Sequence, residues 1–293
     1  MSSFATLRMT CWEGAARHKE GPFWGQPAPD PSHTIRIMYL EKYNLTGRIA
    51  LVTGGGKNIG LACVEALAEA GAHAIIADVD PEAAEAGRQA IADAGYTAEV
   101  MLLDVTNAEA VNKAAAAVIE KHGRIDILVC NAGMALNTPA EDLSDADWKQ
   151  VLDLNLNGVF WCCRAFGKYM IEAGKGSIVN IGSMSGVISN KPQPQVHYNA
   201  SKAAVHMLTK SLAGEWAPHG VRINAVAPTY IETEMTRIGM NNPEWYSTWL
   251  EMTPMHRVGQ TDEVASVVLF LASDAASLMT GSVVLVDGGY TVW

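Results

Sequence analysis

Seven short apolar runs alternate with stretches of helical length from Ile49 to the C-terminus, and no other feature of the sequence constrains its fold as much. The runs are IALVT (49–53), HAIIAD (73–78), AEVMLLDV (98–105), IDILVC (125–130), GSIVNI (176–181), RINAVA (222–227) and SVVLVD (282–287). Consecutive apolar residues over so short a span mark strands buried on both faces. Between them lie Ala-rich or amphipathic stretches such as LACVEALAEAG (61–71), PEAAEAGRQAIADAG (81–95) and AEAVNKAAAAVIEKHG (108–123). Strands covered on both sides and alternating with helices predict one α/β domain with a doubly wound parallel sheet, and right-handed crossovers fix most of its topology.

The first run leads directly into TGGGKNIG, Thr53 to Gly60, and then into a helix. Glycines such as Gly54 and Gly60 at this turn let the backbone approach a pyrophosphate, whose charge suits a helix N-terminus. Asp78 closes the second run eighteen residues after Gly60. A carboxylate there can accept hydrogen bonds from an adenosine ribose diol. A glycine-rich loop alone is a weak signal; strand, loop, helix, strand and acid in this order predict a Rossmann-type dinucleotide site. Asp78 would repel a 2′-phosphate, which favours NAD over NADP, whereas Lys57 in the loop is a counterweight. The bland alternative is a tight turn followed by a helix-capping Asp.

Further along, VHYNASKAAV (196–205) sets Tyr198 and Lys202 four residues apart, on one face of a helix. A phenol beside an ammonium is either a surface accident or a tuned acid, and the pattern alone occurs often by chance. A free phenol near pKa 10 is a poor base at neutral pH, and a nearby positive charge favours its ionised form.

Together these motifs identify the chain as resembling the short-chain dehydrogenase/reductase family over about residues 43 to 293. The resemblance rests on T-G-x-x-x-x-I-G at Thr53–Gly60, the step Asp104–Val105, NAG at Asn131–Gly133, and LNLNG around Asn155. It extends through IVNIGSMSG with Ser183, YNASK with Tyr198 and Lys202, and NAVAPTYIETEM from Asn224. It implies a catalytic tetrad of Asn155, Ser183, Tyr198 and Lys202. In it Tyr198 is the base, Ser183 hydrogen-bonds the reacting oxygen, Lys202 holds the nicotinamide ribose, and Asn155 holds a water that relays protons. Ser185, two residues on, competes with Ser183 for the hydroxyl's role, and the GSMSG alignment favours Ser183. The same resemblance places Asn58 and Ile59 at the pyrophosphate, Asp78 at the ribose, and Asp104 and Val105 at the adenine. It puts Asn131 and Gly133 along the cofactor, with Ile231 and Thr233 at the carboxamide. Three positions depart from the family pattern: Asn58 and Thr229 stand where glycine is common, and Cys130 where the first Asn of NNAG usually stands.

The segment from about 229 to 260 is expected to fold over the site as a lid, as it does in the family. Its aromatics Trp245, Tyr246 and Trp249 are expected to pack the lid's own core or a subunit contact. Polar amides near Ser183, Asn190 among them, suit a polyhydroxylated substrate bound by Ser183, Asn190 and Tyr198. The pattern GSMSG…NKPQ with the ending VDGGYTVW resembles bacterial NAD-dependent polyol dehydrogenases of the galactitol type. The implied reaction is reversible oxidation of a sugar alcohol's secondary hydroxyl to a ketose. The alternatives are a 3-oxoacyl thioester reductase using NADPH, a reductase of another small carbonyl compound, and a non-catalytic NAD-sensing protein of the same fold. The resemblance also implies a homotetramer.

Composition sets the remaining bounds. A net charge of −10 argues against nucleic-acid partners, which are met by basic footprints. No uncharged apolar run is long enough to span a membrane. The five Cys are odd in number and lack metal-ligand spacing, which points to reduced, mostly buried thiols in a cytoplasmic protein and to no metal site. Residues 1–37, with EGPFWGQPAPDPSHT, show neither helical nor strand periodicity and are expected to be a poorly ordered extension, or a mis-assigned start with Met38 as the true first residue.

Overall fold

The computed structural model of the chain describes residues 38–293. The expectations for residues 1–37, and Cys11 with them, lie outside the described residues. Seven strands form one sheet: β1 Ile49–Thr53, β2 His73–Asp78, β3 Ala98–Leu102, β4 Ile127–Cys130, β5 Gly176–Ile181, β6 Val221–Pro228 and β7 Val283–Val286. Their spatial order is β3-β2-β1-β4-β5-β6-β7, and every neighbouring pair is parallel. The order reverses between β1 and β4, the switch point outside which such sheets bind ligands.

The helices are α1 Asn58–Glu69, α2 Pro81–Asp93, α3 Ala108–His122, α4 Asp145–Leu152, α5 Gly158–Ala173, α6 Val196–Trp216, α7 Glu234–Met240, α8 Pro243–Met252 and α9 Thr261–Ala272. Local chemistry sets several starts. Asp80 caps α2 by accepting from Glu82 N at 3.0 Å and Ala83 N at 3.2 Å, ahead of Pro81 in the first turn. Asn107 caps α3 in the same way, and Gly123, at φ 72°, ends it in the left-handed region.

Strand periodicity divides the core in two. Leu51, Ile75, Leu128, Ile178 and Ile223 face α3, α5 and α6, where they meet Val118, Phe166 and Val205. Ala50, Val52, Ile76, Val129, Val179 and Val226 face the other way, against α1 and α9, where they meet Val64, Leu67, Val264 and Leu271. Side chains of alternate residues thus fill two separate layers, which explains why the strands read as unbroken apolar runs.

The third expected strand, 98–105, ends early at Leu102. Leu103 N still donates to Asp78 O at 2.8 Å, but Asp104 turns the chain by accepting from Thr106 N at 2.9 Å and Thr106 Oγ1 at 2.7 Å. The fourth begins late because Asp126 serves as a strut. Its carboxylate takes Ile49 N at 2.9 Å and the Arg124 guanidinium. Cys63, Cys130, Cys162 and Cys163 are buried and unpaired, and burial pushes the Cys63 thiol up to about 12, which leaves it inert. No helix among the described residues is long and apolar enough to cross a membrane.

The glycine loop and α2 approach backbone to backbone. A Cβ on Gly87 would lie 2.7 Å from Gly56 O, and one on Gly56 would lie 2.7 Å from the carbonyl carbon of Ala83. In an exposed helix Gly→Ala gains up to about 1 kcal/mol. Gly87→Ala is expected to have the opposite sign and to cost about 1–3 kcal/mol, because neither backbone can yield. The urea midpoint of the variant checks this: a midpoint at or above that of the parent protein would refute the close contact.

Candidate active site

At the carboxyl ends of β1, β4, β5 and β6 the chain encloses a cleft of about 470 Å³. Its floor is tied together by Thr53, the last residue of β1. Thr53 Oγ1 accepts from Asn131 N at 3.0 Å and Ala132 N at 3.1 Å. Asn131 answers by donating its amide to Thr53 O at 3.0 Å and Gly54 O at 2.9 Å. Asn131 therefore joins the β1 and β4 loops as well as lining the cleft.

The loop that follows fits a dinucleotide. Gly54 lies at φ 60°, and a Cβ there would stand 3.0 Å from Ala132 Cα. Gly60 is forced by α1 starting against the turn, since a Cβ on it would be 2.0 Å from Gly54 O. Asn58 takes the left-handed backbone at φ 53°, which Asn tolerates better than most residues. Lys57 gives α1 no side-chain cap, so the first-turn N–H groups beside Asn58 and Ile59, both on the cleft wall, are free for an anion. Asp78 is buried. Its Oδ2 accepts from Gly56 N at 3.0 Å and its Oδ1 from Asp80 N at 3.2 Å, leaving acceptor capacity on both oxygens. Lys57 Nζ pairs instead with Glu234 Oε2 at 3.2 Å. Asp104, Val105, Gly133, Ile231 and Thr233 also line the cleft; Gly60 supports it from behind.

Ser183, Tyr198 and Lys202 converge on the same cleft. Tyr198 and Ser183 both line this cleft, whereas the Ser185 hydroxyl accepts from Gln195 Nε2 at 3.4 Å. Lys202 is buried, donates to Ile181 O at 2.8 Å and stands 5.6 Å from the centre of the Tyr198 ring. Burial holds the phenol of Tyr198 above its ordinary value, with Ser183 opposing the rise, and pulls Lys202 down to about 8. Burial is the largest influence on the phenol, so any pull of the ammonium toward phenolate works against desolvation. Asn155, fully buried in a π-helical turn over Asp153–Asn157, accepts from Met134 N at 2.9 Å and donates to Met134 O at 2.8 Å and Ser201 Oγ at 3.2 Å. Its side chain clamps the loop after β4; a Cβ on Gly133 would lie 3.2 Å from Asn155 Oδ1 and 3.7 Å from Lys202 Nζ.

The stretch 229–260 carries α7 and α8 across the mouth of the cleft, where Trp245 and Trp249 line it. Trp249 stacks on Tyr230 with ring centres 3.8 Å apart and planes at 9°. Gln193 accepts from Trp249 Nε1 at 3.1 Å and donates to the Tyr230 hydroxyl at 2.8 Å. Asn190 donates to that same hydroxyl at 2.9 Å, so it stands behind Tyr230 and off the cleft wall. Tyr230 is a cleft residue that sequence reasoning passed over, whereas Gln193 is one of the amides expected near Ser183. The signal for Tyr230 is a contact between distant segments, which no spacing reveals.

His206 was also missed, although it follows Lys202 by four residues on the same helix face. The buried imidazole accepts from Ser183 N at 3.4 Å through Nε2. The strand-end loop wraps it so closely that a Cβ on Gly182 would lie 2.4 Å from Nε2, and one on Gly186 2.7 Å from Cε1. Burial, with Lys202 and Lys210 nearby, pushes His206 down to about 4, which keeps it a neutral acceptor. A histidine whose pKa falls from about 6.5 on folding costs stability as pH drops, because the unfolded chain binds the proton first. Stability is thus expected to rise with pH between about 4 and 6.5, and His206→Gln is expected to flatten that slope. Urea titrations at pH 4.5 and 6.5 test it, and an unchanged difference between the two pH values would count against the assignment.

A sequence profile of a family described as Enoyl-(Acyl carrier protein) reductase matches residues 54–291. Galactitol 2-dehydrogenase of Rhizobium johnstonii is 55% identical over 258 residues, covering 88% of this chain and 100% of the relative. Galactitol 2-dehydrogenase (L-tagatose-forming) of Cereibacter sphaeroides is 49% identical over 255 residues, covering 87% and 99%. A crystal structure of a short-chain type dehydrogenase/reductase from Mycobacterium marinum superposes with a TM-score of 0.83 at 38% identity, covering 87% and 99%.

Proposed function

The chain belongs to the short-chain dehydrogenase/reductase family and is an oxidoreductase acting on CH–OH groups with a nicotinamide cofactor, and from that footing we propose that it oxidises a secondary hydroxyl of galactitol or a similar sugar alcohol to a ketose, using NAD. The observation that carries the reading is the meeting of Ser183, Tyr198 and Lys202 with the Asp78-bearing glycine loop in one cleft.

When bound, the nicotinamide supplies the hydride acceptor for the carbinol carbon. The chain's own residues handle the proton. Tyr198 takes it from the substrate hydroxyl, while Ser183 donates a hydrogen bond to the same oxygen and fixes its position. Lys202 adds positive charge that favours the ionised phenol, and the clamp of Asn155 on Met134 keeps the opposite wall in register. Proton relay through a water held near Asn155 belongs to this proposal. Asn58 and Ile59 hold the pyrophosphate, Asp78 the adenosine ribose, Asp104 and Val105 the adenine, and Ile231 and Thr233 the carboxamide.

A polyhydroxylated substrate suits the far wall. Thr229 Oγ1, on the cleft, is buried without a hydrogen-bond partner among the described residues. Buried polar atoms cost about 1–3 kcal/mol when left unpaired, and substrate hydroxyls are groups that satisfy them. Thr229 stands where the family commonly has glycine, so its hydroxyl adds a polar group to that wall. NAD is preferred because Asp78 sits where a 2′-phosphate would have to go, and Lys57, the competing basic residue, is engaged by Glu234. The reading extends to a homotetramer in the cytoplasm, and the segment 229–260 serves as the lid.

Initial rates at 340 nm with galactitol test it, run with NAD and with NADP. NADH formation well above NADPH formation is expected. Turnover of a 3-oxoacyl thioester with NADPH, and none of galactitol, would instead support the thioester-reductase alternative. Tyr198→Phe is expected to lower kcat by about 10²–10⁴-fold. Because burial holds the Tyr198 proton, oxidation is expected to quicken as pH rises above neutrality, and a rate that falls between pH 7 and 9 contradicts its role as base. Asp78→Ala is expected to narrow the preference for NAD over NADP at least tenfold, read as the ratio of kcat/KM values, in line with loss of a charge repulsion of about 1.4 kcal/mol or more.

A further inference from the structure

We propose that His73, Glu99 and His122 form a binding site for a divalent transition-metal ion of the zinc class, at the end of the sheet remote from the catalytic cleft. The three residues come from three elements. His73 opens β2, Glu99 is the second residue of β3, and His122 is the last residue of α3. Glu99 pairs in register with Ile75, two residues beyond His73, so His73 and Glu99 point to the same face of the sheet. That face is the one α3 packs on, as Ile75 and Val118 share a core layer. The end of α3 therefore brings His122 over the two strands.

Both imidazoles aim Nε2 at one oxygen. His73 Nε2 lies 2.7 Å and His122 Nε2 3.5 Å from Glu99 Oε1, and all three ligand atoms fall within 4.8 Å of one another. Zinc bonds of about 2.0–2.1 Å at tetrahedral angles put neighbouring ligand atoms about 3.3 Å apart, so the triad needs only small side-chain adjustments to close on an ion. Lys121 Nζ donates to the other oxygen, Glu99 Oε2, at 2.8 Å. That bond orients the carboxylate and leaves Oε1 for the metal, as outer partners do in metal sites. Two imidazoles and one carboxylate match the donor set of zinc-type ions, with a fourth position left for water. Ions can enter, since side-chain exposure is 38% at His73 and 27% at Glu99. The expectation of no metal came from searching for close ligand spacing; here the ligands are separated by 26 and 23 residues and meet only through the parallel pairing.

Isothermal titration of the full chain with zinc chloride tests the site, alongside His122→Gln and the double variant His73→Ala/His122→Ala. The parent protein is expected to bind one more equivalent than the double variant, and His122→Gln to weaken that equivalent at least tenfold. Zinc is also expected to raise the melting temperature of the parent protein and not of His122→Gln, whose change at a helix end leaves the core intact. Equal stoichiometry and equal melting shifts in all three proteins overturn the proposal. Should the double variant fail to fold by circular dichroism, His122→Gln alone decides between the same outcomes.

Discussion

The end of β1 and the end of β4 are held together by a single threonine hydroxyl, and the cleft depends on that knot. Thr53 Oγ1 takes the backbone donors of Asn131 and Ala132, and Asn131 returns its amide to the glycine turn. The loop that suits a pyrophosphate and the loop clamped by Asn155 are thereby one rigid unit. Buried main-chain donors without partners are costly, so neither loop can shift without breaking bonds in the other. The cleft residues of these two loops, Gly54 and Asn131 to Met134, take their positions from this junction and from the clamp of Asn155.

A second layer of positioning comes from α6. One helical face carries Tyr198, Lys202 and His206 in steps of four, and each meets a different part of the strand-end loop. Tyr198 shares the cleft with Ser183, Lys202 meets the carbonyl of Ile181, and His206 the backbone of Ser183. Only glycine at 182 and 186 lets the loop close around the imidazole. The serine is thus fixed through its main chain, and it is a packing arrangement rather than a charge that orients it. The segment with α7 and α8 is anchored by similar means: Trp249 stacks on Tyr230 and also packs on Gly239, where a Cβ would come within 2.0 Å of the indole.

Much of this was legible in the sequence. The seven strands and the first three helices follow from apolar runs, because a sheet buried on both faces leaves a continuous signal, and boundaries missed by two or three residues fall where Asp104 and Asp126 turn the chain with their carboxylates. The glycine loop and Asp78 were legible because their function needs fixed backbone positions next to a strand and a helix start. The environment of each group was not. Burial, which raises Tyr198 and lowers Lys202, depends on residues far apart in the chain, and spacing alone carries no sign of it. Asn131 and Asn155 read as cofactor or relay residues, yet their side chains are spent largely on backbone groups. Contacts such as Gln193 with Trp249, or His73 with Glu99, join segments that no local pattern links.

The bond between Asp78 and Gly56 N couples two traits that are usually treated as separable. The carboxylate proposed to face the ribose also satisfies a donor in the glycine turn. Replacing it to admit a 2′-phosphate leaves that N–H unpaired unless a second residue supplies an acceptor. On the proposed reading, cofactor preference is therefore not a one-step trait: a change at Asp78 alone loosens the glycine turn, and a second change near Gly56 is needed to restore its acceptor.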